Sequence, residues 1–115
     1  MIVSHISKVE GVRIETDQIK GVNKKVAVSP KEGWDGYVMR VFELDQGGYS
    51  PEHTHSWPHI MFFLEGNGVL HLDGKDYPVE KGSFAFVPGG KIHTVKNTGT
   101  DKMSFICIVP EEGDV

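Results

Sequence analysis

With 115 residues, a formal charge of −4 and basic residues scattered rather than clustered, the chain suits one domain with a modest core and lacks the basic face that nucleic acid or an anionic membrane surface demands. A single cysteine, Cys107, rules out an intrachain disulfide and fits a reducing compartment. The first twenty residues carry no apolar signal core, and no apolar run approaches the length that crosses a bilayer, so the expectation is a cytoplasmic domain without a membrane span.

Short β-type runs alternate along the chain with glycine, proline and Asp-Gly punctuation. Residues 11–14 are the first strand candidate. Residues 16–33 are the least patterned: TDQIKGVNKK offers one helical turn, and SPKEGWDG reads as a loop. Residues 37–44 and 60–64 read as strands, and 69–72 with 75–79 form a predicted hairpin closed by Asp73-Gly74. Further strands are predicted over 83–87, 93–96 and 103–109, and EEGDV reads as a frayed tail. There is no amphipathic helix, repeat or linker. Short strands at regular spacing predict an all-β sandwich or barrel.

The segment PEHTHSWPHIMFFLEG holds three of the six histidines, His53, His55 and His59. On a strand, His53 and His55 share one face, with Thr54 pointing the other way. Ser56-Trp57-Pro58 turns the chain, and His59 opens the next strand, so a strand pair can bring His59 back beside the first two. Three imidazoles converging on one point suit a first-row divalent metal. The competing reading is a group of solvated loop histidines.

A second segment, EKGSFAFVPGGKIHTVKN, adds Gly82, Pro88, Gly90, His93 and Asn97. Together the two segments resemble the cupin family. Its second motif, G-x(5)-P-x-G-x(2)-H-x(3)-N, is matched at every position. Its first, G-x(5)-H-x-H-x(3,4)-E-x(6)-G, is matched by Gly47, His53, His55 and Gly66, with His59 where the glutamate belongs. The resemblance covers residues 36–110, and it implies a single-domain jelly-roll barrel, the double-stranded β-helix. Residues 1–35 are then a segment packing on the barrel or on a dimer partner, and 111–115 a tail. The resemblance also implies a metal set of His53, His55, His59 and His93, similar to the small all-histidine cupins, some of which carry manganese.

Four neutral ligands leave a divalent site more positive than three histidines and a glutamate do, which strengthens its Lewis acidity and raises its reduction potential. An octahedral ion would keep two open positions; a tetrahedral zinc would be closed. Ligand softness admits Mn, Fe, Co, Ni, Cu or Zn, and the resemblance favours Mn or Fe. Strand parity places Met61 and Phe63 on the face of His59 and Val95 on that of His93. Residues 103–109 are apolar on both faces; Phe105 and Cys107 are taken as the inward pair. Arg40 is either a pocket cation or a surface side chain, and Trp57 either walls the entrance or packs on a partner. His71 and His5 read as uninvolved. Gly47, Gly66, Gly82, Gly90 and Pro88 shape turns and corners. The functional expectation is a metal-dependent oxidoreductase of dioxygenase type on a small organic substrate, acting as a homodimer. A non-catalytic small-ligand or sugar-binding module, or a metal-dependent isomerase or lyase, is the alternative.

Overall fold

Nine strands and three single turns of 3-10 helix account for the regular structure of residues 1–50 and 54–114, which the computed structural model describes. The strands are β1 (Val12–Ile14), β2 (Lys20–Val28), β3 (Tyr37–Tyr49), β4 (His59–Glu65), β5 (Asn67–Leu72), β6 (Lys75–Glu80), β7 (Phe84–Val87), β8 (His93–Asn97) and β9 (Met103–Pro110). They lie in the order β6-β5-β8-β3-β9-β4-β7, with β2 also on β3 and β1 on β2, in a nearly closed all-β barrel. All the pairings are antiparallel.

Local chemistry sets the turns. Between β5 and β6, Asp73 and Gly74 both take positive φ (51° and 84°), the conformation a two-residue hairpin turn needs to match strand twist. Residues 16–33 differ from expectation. Their middle is not a helical turn but the nine-residue β2, paired along β3 from Lys20↔Tyr49 to Val28↔Met39. Only the long partner strand reveals this, because pairing and burial override the weak local preference of a lysine-rich run. Within the loop that follows, Pro30–Glu32 form a 3-10 turn closed by a capping box between Ser29 and Glu32.

The barrel interior follows the two-residue period. On β4, His59, Met61 and Phe63 are buried while Ile60 and Phe62 face out. On β9, the buried Phe105, Cys107 and Val109 alternate with half-buried Ile106 and Ile108. Cross-strand register then builds rows. Arg40 of β3, Cys107 of β9 and Met61 of β4 are neighbours in one row; Phe42, Phe105 and Phe63 make the next. The Phe63 and Phe105 rings lie 5.3 Å apart, and burying each such side chain stabilises the fold by about 1.5–3 kcal/mol.

Residues 111–114 are ordered by contacts rather than frayed. Glu111–Gly113 form a 3-10 turn, Gly113 is buried, and Asp114 pairs with Lys24 and Arg40. The strand β1, which lacks an obvious partner in the sequence, pairs with β2 of its own chain.

Candidate metal centre

Three elements deliver three imidazoles to one end of the barrel. His59 is the first residue of β4 and His93 the first of β8, both buried and inward-facing. His55 lies in the connection before β4, outside any strand, and β3 has already ended at Tyr49. Its position therefore does not come from strand parity, nor from a hairpin returning His59: β3 and β4 are not paired but sit on either side of β9. Loop packing positions His55 instead. The Gly90 N–H donates to its carbonyl at 2.7 Å, and a Cβ at Gly89 would collide with the carbonyl of Ser56. Trp57 stacks on the His55 ring, centroids 4.5 Å apart and nearly parallel, while its indole packs against Gly113. The turn before β8 thus holds the loop before β4, which is why the two glycine-bearing segments act as one. His53 lies outside the described residues.

Hydrogen bonds fix how the rings present themselves. His55 Nδ1 faces the Trp57 carbonyl at 3.0 Å, and His93 Nδ1 faces the Lys91 carbonyl at 2.9 Å. A carbonyl only accepts, so each Nδ1 donates, which in the neutral ring leaves Nε2 with the lone pair a metal takes. His59 Nδ1 lies 3.0 Å from Cys107 Sγ, and the Nε2 atoms of His55 and His59 are only 2.6 Å apart. The metal-ligating atoms of His55, His59 and His93 all lie within 4.8 Å of one another. Converging lone pairs, each backed by an Nδ1–H donating outward, fit a divalent metal, which would draw them together where they would otherwise repel. In that state His59 Nδ1–H donates to Cys107 Sγ, which also accepts from Arg40 Nη2 at 3.2 Å. Burial pushes the Cys107 thiol up from its ordinary pKa, opposed by the charge and hydrogen bond of Arg40, so it stays protonated at neutral pH.

The imidazoles open onto a cavity of about 290 Å³, small for an organic-ligand site and mostly apolar. Of the side chains singled out from the sequence, Arg40, Trp57, Met61, Val95, Phe105 and Cys107 line it. Phe63 does not: one step further along β4, it is fully buried in the core against Phe105. The sequence reading missed Ile14, Ile19, Val22 and Lys24, which β1, β2 and the loop between them fold over the cavity. Their signal, Val22 and Lys24 on one face, becomes readable only once β2 is known to be a strand.

The other motif residues are structural. Asn97 is buried, shares its two Nδ2 hydrogens among the carbonyls of Leu44, Asp45 and Asp101, and accepts from the Gly99 N–H. Gly47, Gly66, Gly82 and Gly90 take positive φ, and at Gly66 a Cβ would also meet Met103 Cα at 2.7 Å. Pro88 leads into the Gly89-Gly90 turn. His71 pairs with Asp76, and the exposed His5 caps the 3-10 turn Ile6–Lys8. Glu43 is engaged by Asn23 and Lys25, and Glu65 is exposed at the far end of β4.

The chain is similar to known proteins. The Cupin domain profile matches residues 40–109. An oxalate-binding protein of Thermotoga maritima is 36% identical over 50 residues, covering 44% of this chain and 41% of that protein. An acireductone dioxygenase of Serratia proteamaculans is 34% identical over 80 residues, covering 63% of this chain and 44% of that enzyme. The chain therefore spans less than half the length of the curated relatives it matches. Among solved structures, a polyketide cyclase of Streptomyces resistomycificus superposes with a TM-score of 0.89 at 26% identity, covering 96% of this chain and 80% of that one.

Proposed function

The chain belongs to the cupin family, and on that premise we propose that it is a metal-dependent oxidoreductase of dioxygenase type acting on a small organic molecule. The observation that supports this best is the convergence of His55, His59 and His93 at the wall of an apolar cavity, each ring with Nδ1 turned to an acceptor and Nε2 turned inward. His53 completes the proposed set, and manganese or iron is the favoured ion. When bound, such an ion supplies Lewis acidity and one-electron chemistry with dioxygen.

The chain's own residues supply the rest. The carbonyls of Trp57 and Lys91 and the thiol of Cys107 hold the three rings in orientation. Met61, Val95 and Phe105 keep bulk water from the substrate. Among the described residues no carboxylate lines the cavity, and the carboxylate nearest its cations, Asp114, is held by Lys24 and Arg40, so no acidic general base faces the imidazoles for proton-transfer chemistry. That favours oxygen chemistry over isomerisation or elimination, and the dioxygenase relative agrees. The second reading, non-catalytic binding of a small organic molecule, draws on the oxalate-binding relative.

Elemental analysis of natively purified protein, followed by electron paramagnetic resonance with and without dioxygen, tests the proposal. Expected are a manganese or iron signal that responds to dioxygen and loss of metal in His59→Ala. Full metal content in His59→Ala would remove His59 from the ligand set, and a closed, oxygen-inert zinc would leave only the binding reading.

A further inference from the structure

Beside the imidazoles, the cavity carries a feature that metal binding does not use. Arg40 is only 5% exposed, yet its guanidinium is poorly satisfied. Nη2 reaches the Cys107 thiol at 3.2 Å, Nη1 lies 3.7 Å from Asp114 Oδ1, and Nε has no hydrogen-bond partner among the described residues. A buried guanidinium normally fills its donors, most often with a carboxylate taken by two nitrogens at once. Lys24, also lining the cavity, has Nζ 2.7 Å from the same Asp114 oxygen, close enough for an ion pair but off hydrogen-bond geometry. Two cations thus share one carboxylate that satisfies neither well, and among the described residues neither makes a second ion pair. Burying such a charge is costly unless an anion meets it.

We propose that Lys24 and Arg40 form an anion subsite for a carboxylate of the ligand, and that Asp114 stands in for that carboxylate until it is displaced. Register explains why the subsite adjoins the imidazoles: Arg40 faces Cys107 across β3–β9, and Cys107 touches His59. One ligand can therefore present its reacting group to the histidines and its carboxylate to the cations. The walls between are Val22, Leu44, Met61, Val95 and Phe105, with Phe42 under the guanidinium at 5.0 Å. Such walls suit a carboxylate carried on an apolar body. Asp114 follows the 3-10 turn Glu111–Gly113 and belongs to no strand, so its displacement breaks no strand pairing. The inference rests on the reading of this cavity as the ligand site and narrows its ligand to a class.

Calorimetric titration of the full, chelator-treated chain with phenylacetate and with its neutral counterpart phenylacetamide tests it. Phenylacetate is expected to bind at least tenfold more tightly than the amide. Asp114→Asn should tighten phenylacetate severalfold and leave the amide unchanged; Lys24→Met should erase the preference, as should Arg40→Met if that buried substitution folds. Equal binding of the two probes, binding of neither, or an Asp114→Asn variant without gain for phenylacetate would each overturn the proposal. Because the protein is free of metal, these results stand apart from the proposed oxygen chemistry, which metal content and dioxygen response judge.

Discussion

Cys107 shows how one side chain tunes a site it does not enter as a ligand. Its sulfur sits between Arg40 and His59, so it holds the imidazole in orientation while occupying one guanidinium nitrogen. Cys107→Val keeps the position apolar and removes the acceptor. Metal affinity, measured by competition with a chelator, should fall roughly 10–100-fold, the usual cost of losing the partner of a ligating histidine. The thiol also gives a pH signature. Its folded-state pKa is raised by burial, so the stability tied to the neutral thiol is complete below the ordinary thiol range and is lost as pH rises through the raised value. Thermal melts should show the wild type losing stability relative to Cys107→Val above about pH 8.5. At His59, replacement by glutamate should retain metal and lower its reduction potential, since a carboxylate is also a good ligand and adds negative charge.

Asn97 governs how elements meet. Its side chain closes β8 onto the β3 backbone at Leu44 and Asp45 and onto the loop before β9 at Asp101. Asn97→Ala would leave the buried Leu44 carbonyl and the part-buried Asp45 carbonyl without this donor, and a loss of about 1–3 kcal/mol in denaturant unfolding is expected. Metal content at saturating concentration should be unchanged, because His93 is held through Lys91 at the opposite end of β8. The motif asparagine was legible in the sequence, but the reason for it was not, since all three acceptors are backbone carbonyls that any residue could supply. The same holds for β2. Its lysines read as polar loop because nothing local says that β3 has an open edge.

Over the whole molecule, one face remains uncovered. Ile60 pairs with Phe86 and Phe62 with Phe84 on the outside of β4–β7; Phe84 is 81% exposed and Phe86 61%. Monomers rarely expose such a contiguous patch, and β7 ends the sheet order, so a second copy can cover both patch and edge. We propose a homodimer through this face rather than through β1, which has its partner in β2. Sedimentation should show a dimer at micromolar concentration and a monomer after Phe84→Lys with Phe86→Lys; a monomeric wild type would refute it. Metal removal should leave the barrel intact, because its core is aliphatic and aromatic and does not depend on the imidazoles. Circular dichroism should be unchanged by chelation, with a melting temperature lower by on the order of 10 °C, the linkage contribution of a tightly bound ion.

The all-β class, most of the strands and the histidine-bearing motifs are readable from the sequence alone, because strand alternation, Asp-Gly turns and motif spacing are local properties. The inward face of β9 is not, since Phe105, Cys107, Ile106 and Ile108 are all apolar and only the register with β3 and β4 separates them. The position of His55 is not either, because packing against Gly89, Gly90 and Trp57 sets it rather than a pleat. Least legible are Lys24 and Asp114, 90 residues apart in the chain and 2.7 Å apart in space. Charge pairing over such a separation leaves no periodic trace, so only the folded barrel brings Lys24 and Asp114 together.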